Sequence, residues 1–161
     1  MNIPDDPLNT HVEAWAALLR AQKVLTERVQ RELAAAGLPP LEWYDVLYEL
    51  WRAPERRLRF YELGERIALS RSNLTRLVDR LEKEGLLARE ACTGDRRGLY
   101  AVLTAAGEEA MRRIWPVYRE AIARHFAAQL TPAEAATLAG LLARPLGAGT
   151  AGTADTDADA D

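Results

Sequence analysis

The side chains best equipped for chemistry crowd into one stretch, "SRSNLTRLVDRLEKEGLLAREACTGDRRGLYAVLT", from Ser70 to Thr104. Its first half has helical spacing. Leu74, Leu77, Val78 and Leu81 recur at i, i+3, i+4 and i+7 and define a buried side. The opposite side carries Ser72, Thr75, Arg76 and Asp79, with Asn73 and Arg80 flanking it. Ser70 is the expected N-cap and Arg71 opens the first turn. Short hydroxyl and amide groups let a helix backbone come close to a polar surface. A guanidinium can pair with guanine O6 and N7. These residue types on the first two turns suit a helix inserted N-terminus first into a DNA major groove. An ordinary amphipathic helix with a polar outside is the competing reading of this segment alone.

The second half alternates like two strands, Leu86–Ala91 and Leu99–Leu103, around the turn "CTGDRRG". A hairpin tip bearing Arg96 and Arg97 is badly placed for core packing. It is well placed to reach phosphates or a narrow minor groove.

Other chemistry finds little support. His11 and His125 are the two histidines, and neither has a second ligand at zinc spacing. No phosphate loop and no G-x-S-x-G appears. Neither metal nor cofactor is expected, and no enzyme activity. The single cysteine, Cys92, excludes an intramolecular disulfide and points to a reducing, cytoplasmic setting. Arg89 and Arg96 lie near Cys92 in sequence and could lower its pKa, but an inert thiol is the expectation. "MNIPDDPLNT" lacks a basic region followed by an apolar one, so no secretory leader is expected, and no apolar run suits a membrane span.

The remaining elements must position that stretch. Residues 10–36 read as a long first helix, with Thr10 as N-cap and Gly37, Pro39 and Pro40 ending it. Its apolar residues, from Val12 and Trp15 to Val29 and Leu33, cover more than one face. Such a helix is either buried in its own domain or shared with a second chain. A second helix spans about 40–52, with Trp43, Leu47, Leu50 and Trp51 on one side, and "FYELGERIAL" is a short third. The fourth, about 71–84, stops at Gly85, where a left-handed residue fits. Thr104 caps a fifth, about 105–129, which Pro116 should kink. Thr131, Pro132 and Glu134 start a sixth by a capping box, with Leu138, Leu141 and Leu142 inward.

Charge is unevenly spread. The formal net charge is −3, but the tail holds Asp155, Asp157, Asp159 and Asp161, and without it the charge is +1. Residues 52–97 carry twelve Lys/Arg against eight Asp/Glu. A basic middle between acidic ends hints at a polyanionic partner. The tail, of Gly, Ala, Thr and Asp, cannot bury enough surface to fold.

Short helix, brief turn, longer helix and arginine-tipped hairpin together make a winged helix. At this point the sequence resembles the multiple-antibiotic-resistance regulator (MarR) family of bacterial winged-helix transcription factors. "VDRLEKEGL", the Asp95-Arg96-Arg97 run and the Leu103–Gly107 "LT..G" pattern match that family, and "WYDVLYEL" looks like its second helix. The resemblance implies a mainly α fold with a small β-wing, a winged helix-turn-helix with N- and C-terminal dimerisation helices. It also implies a homodimer on palindromic double-stranded DNA, relieved by a small ligand or by oxidation. The wing arginine, here Arg97, would enter the minor groove and Asp95 would orient it. The expected organisation is a flexible N-terminus at 1–9, a regulatory domain at 10–144 and a disordered acidic tail at 145–161. Within the domain the winged helix covers about 40–104, and the dimerisation helices about 10–36 and 105–144. The expected DNA contacts are Ser70, Arg71, Ser72, Asn73, Thr75, Arg76, Arg80, Asp95, Arg96 and Arg97. Where the terminal helices meet the winged helix, His11, Trp15, Trp43 and Tyr44 could line a pocket for a planar, anionic effector, with core packing as the competing reading. The expected function is a ligand-relieved repressor. The alternative is a winged-helix module that binds protein and not DNA.

Overall fold

The computed structural model describes residues 7–67, 69–91 and 98–147. Six helices and three strands follow in order: α1 (Asn9–Ala35), α2 (Leu41–Trp51), β1 (Arg57–Arg59), α3 (Phe60–Arg66), α4 (Arg71–Lys83), β2 (Leu87–Ala91), β3 (Leu99–Leu103), α5 (Ala105–His125) and α6 (Pro132–Leu146). The fold is mainly helical with a small antiparallel sheet in the order β1-β3-β2.

Helix ends follow the local chemistry in most places. Ser70 caps α4, Thr104 caps α5, and Thr131 with Glu134 closes a reciprocal capping box on α6. Gly37 and Gly85 sit just past α1 and α4 at φ of 66° and 70°, a region where a side chain is strained. Some expectations need correction. Thr10 does not cap α1, which begins one residue earlier after Leu8 with no side-chain cap. Helix α5, which contains Pro116, ends at His125 and not near 129, and a separate 3-10 turn follows at Ala127–Gln129. Strand β1 has no counterpart in the sequence reading. It is three residues long, and a turn through Glu55 and Arg56, both at positive φ, feeds it against β3.

The core sits in the winged unit. Val46, Leu47 and Leu50 of α2, Leu63 of α3, Leu77, Val78 and Leu81 of α4, Leu87 of β2, Ala101 of β3 and Ile114 of α5 are all fully buried. The apolar side read from α4 is thus its anchoring side. Trp51, expected on the inner face of α2, is instead at the surface, while Tyr44 and Val46 go inward.

Gly107 explains the "LT..G" pattern. Thr104 Oγ1 accepts from Gly107 N at 3.1 Å and donates to Gly85 O at 2.7 Å. A Cβ on Gly107 would lie 2.0 Å from the Leu86 carbonyl oxygen. The first turn of α5 therefore presses directly on the root of the hairpin.

The terminal helices behave differently. In α1 only Val29 and Leu33 are buried, and in α6 no residue is. Trp15 is 62% exposed, Leu19 49% and Leu141 46%. The C-terminal end of α1 is held to α5, where His125 Nε2 and Glu32 Oε1 are 2.5 Å apart and Arg124 reaches both Glu32 oxygens at 2.9 Å. The hydrogen bond with His125, then the Arg124 charge, hold the Glu32 carboxyl below its ordinary pKa.

Candidate nucleic-acid interface

Helix α4 presents the expected head. Its buried leucines and Val78 fix the roll of the helix, so Arg71, Ser72, Asn73, Thr75 and Arg76 all face solvent. Ser70 Oγ accepts from Asn73 N at 3.4 Å and lies 3.3 Å from Ser72 Oγ. Thr75 donates its hydroxyl to Arg71 O at 2.9 Å, which leaves its lone pairs outward. Among the described residues neither Arg71 nor Arg76 is paired with a carboxylate. Two guanidiniums on the exposed side of α4, Arg71 in its first turn and Arg76 in its second, form a ready anion-facing surface.

Arg80 is placed differently. Its Nη2 meets Glu42 Oε1 at 2.9 Å, so it ties α4 back to α2. Asp79 and Glu82 both engage Arg89 of β2. Sequence reasoning considered Arg89 solely as a neighbour of Cys92. The signal that was available is two carboxylates three apart on α4 followed by an arginine in the next strand. Nothing local in the sequence brings them together.

The hairpin carries β2 and β3 in register, with Leu87 opposite Leu103 and Ala91 opposite Leu99. Its tip, residues 92–97, holds Cys92, Asp95, Arg96 and Arg97 and lies outside the described residues. Between α3, α4 and the outer part of the hairpin runs an open groove of about 940 Å³, lined by Tyr61, Arg71, Thr75, Arg89 and Leu99 among others.

The four residues expected to line an effector pocket fall into two groups. Trp43 and Tyr44 stand on α2, the first partly buried and the second buried, while His11 and Trp15 lie exposed on the first half of α1. Tyr44 joins an aromatic cluster that sequence reading did not assemble. Its ring stacks with Tyr48 at 5.8 Å and Trp115 at 6.1 Å and meets Tyr118 edge-on at 5.2 Å. Burial first, then the neighbouring Tyr48, pushes the Tyr44 hydroxyl up to about 12. Beside it, burial first, then Glu49 and Glu42, pushes the Asp45 carboxyl up to about 6. Among the described residues the buried indole N–H of Trp43 has no hydrogen-bond partner. Among the described residues no group of His, Cys, Asp and Glu could hold a metal ion, and no helix is long and apolar enough to cross a membrane.

This architecture matches known proteins along most of its length. The family model of the MarR family matches residues 36–98. YkoM of Bacillus subtilis (strain 168), named as an uncharacterized HTH-type transcriptional regulator, is 31% identical over 134 residues, covering 83% of this chain and 84% of the relative. The crystal structure of AbsC, a MarR family transcriptional regulator from Streptomyces coelicolor, superposes with a TM-score of 0.75 at 33% identity, over 86% of this chain and 92% of that one. Sco3205, another such regulator from the same organism, was solved in complex with DNA. It aligns at 32% identity with a TM-score of 0.76, over 84% of this chain and 88% of that one.

Proposed function

Because the chain belongs to the MarR family and is a DNA-binding transcriptional regulator, we propose that it works as a homodimer on a palindromic operator, in the cytoplasm, as a repressor relieved by a small molecule. The observation that carries the reading is the exposed start of α4. Arg71, Ser72, Asn73, Thr75 and Arg76 are exposed on a helix whose opposite side is locked in the core, and among the described residues neither arginine is paired with a carboxylate. In this reading the first two turns enter the major groove, with Arg76 on a base edge and the helix N-terminus toward a phosphate. Arg97, with Asp95 and Arg96 at the wing tip, reaches the neighbouring minor groove.

Dimerisation accounts for the uncovered apolar faces of α1 and α6. Soluble monomers rarely leave such faces bare, and a twin copy covers both by symmetry. Two reading helices then meet successive major grooves, with half-sites about 10 base pairs apart. A repressor of this kind acts by occupying its operator, and an effector acts by favouring a dimer whose helices no longer match that spacing. The effector pocket combines Trp43 and Tyr44 with His11 and Trp15, and the unpartnered Trp43 indole supplies a donor for an aromatic acid.

The test is a titration of a duplex selected by the protein from a randomised pool, beside a scrambled duplex, at several salt concentrations. The proposal expects preference for the selected duplex, protection of two half-sites, and a steep salt dependence from released counterions. Equal, weak binding to both duplexes refutes it.

A further inference from the structure

Reading two grooves at once demands that α4 and the wing keep one fixed relation. Strand β2 is an edge strand, and its free side faces α4 with no main-chain ladder between them. One guanidinium spans that gap. Arg89 of β2 donates Nη1 to Glu82 Oε2 and Nη2 to Asp79 Oδ1, both on α4. Its own backbone N–H donates to the other Glu82 oxygen, Oε1, at 3.2 Å. Its flat face rests on the Phe60 ring, the first residue of α3, with the guanidinium carbon 5.4 Å from the centroid. A single half-buried side chain thus joins α3, α4 and β2.

We propose that Arg89 is a positioning residue for DNA recognition: it locks the wing to the reading helix through Asp79 and Glu82 and is not itself a DNA contact. The proposal rests on the DNA reading above and deepens it. Three observations favour locking over contact. Nη1 and Nη2 each already serve a carboxylate of the same helix, which holds the guanidinium against α4 and turns that pair of nitrogens away from a phosphate or a guanine. The π-face is spent on Phe60. Asp79 belongs to the exposed side of α4, where a bare carboxylate would repel phosphate, and Arg89 neutralises it. A lysine could serve one carboxylate but not grip two and stack at once.

The two roles predict opposite results for the partners. If Arg89 positions, removing its anchors by Asp79→Asn with Glu82→Gln loosens the wing, and discrimination falls although two negative charges have gone. If Arg89 touches DNA, the same change frees it and tightens binding to every duplex. The experiment titrates the full chain and its variants against the selected and scrambled duplexes across salt, well below each thermal midpoint. Arg89→Ala is expected to cut the ratio of selected to scrambled affinity by about the worth of one correct base pair, roughly 5- to 150-fold. The salt slope on the scrambled duplex should stay the same. Asp79→Asn with Glu82→Gln should cut the same ratio, and adding Arg89→Ala to it should cost little more. Arg89→Lys should recover part of the loss. The proposal is overturned by an unchanged ratio in Arg89→Ala, or by an equal loss on both duplexes with a slope lower by about 0.9. It is overturned equally if the carboxylate variant binds both duplexes more tightly. Should Arg89→Ala not fold, Arg89→Lys and the carboxylate variant decide by the same ratio. Failure of the unaltered protein to select any duplex would overturn the DNA reading itself, and this proposal with it.

Discussion

Replacing Gly107 by alanine separates two opposite expectations. Gly107 is the third residue of α5, and by helix propensity alone an alanine there should stabilise by up to ~1 kcal/mol. The packing says otherwise. The new Cβ would lie 2.0 Å from Leu86 O, 2.8 Å from Leu103 Cδ1 and 3.0 Å from Leu86 C. The leucine methyl can rotate away, but the carbonyl is backbone at the root of β2. Restoring ordinary contact moves α5 and the hairpin root apart by more than about 1 Å, an overpacking cost of ~1–3 kcal/mol. The same movement stretches the 3.3 Å hydrogen bond from Thr104 N to Leu86 O, worth ~1 kcal/mol more. Set against the propensity gain, the net loss is ~1–3 kcal/mol. For a chain of this size that is a thermal midpoint lower by roughly 2–12 °C. Thermal and urea unfolding at fixed protein concentration measure it. Gly140→Ala is the companion variant. Its Cβ meets nothing within 4 Å, and it is turned about 200° from Leu138, so the midpoint should rise slightly. A Gly107→Ala midpoint equal to or above that of the unaltered protein would refute the close approach.

Four further outcomes are expected. Trp15→Glu combined with Leu141→Glu places charges on the uncovered faces of α1 and α6, so sedimentation at micromolar concentration should show a monomer where the unaltered chain shows a dimer. Arg76→Ala should cost ~1–3 kcal/mol per half-site and relax preference at one base position. Arg97→Ala should weaken all duplexes and lower the salt slope by about 0.9 per lost contact, and titration of selected and scrambled duplexes distinguishes the two. Asp45→Asn should stabilise the protein near pH 8: the carboxyl's folded pKa of about 6 lies above its ordinary value, so ionising it opposes folding. That gain should shrink as pH falls through 6 and vanish below about 4, in a pH series of thermal midpoints. Asp45 keeps access to water, which screens the effect, so the prediction is one of sign.

Much of the winged unit was legible from local pattern. The i, i+3, i+4, i+7 leucines of α4 announced both the helix and its buried side, and everything exposed on its head followed from the same periodicity. Ser70, Thr104 and Thr131 marked helix starts, and Gly85 a helix stop, because capping is satisfied within four residues of chain. The family resemblance rested on the same stretch. What stayed hidden depends on contacts between distant segments. Strand β1 carries one inward residue, Leu58, between Arg57 and Arg59, too short a run to show alternation, and it exists because β3 supplies its hydrogen bonds. The outward turn of Trp51 and inward turn of Tyr44 were decided by how α2 packs on α5. In sequence Arg80 is a basic residue of the reading helix and Arg89 a neighbour of Cys92. Only tertiary structure sets Glu42 before one, and Asp79, Glu82 and Phe60 around the other. Periodicity reports which side of an element is buried, since that is set within the element. Which charge answers which is set by the approach of elements far apart in the chain, and no spacing rule encodes it.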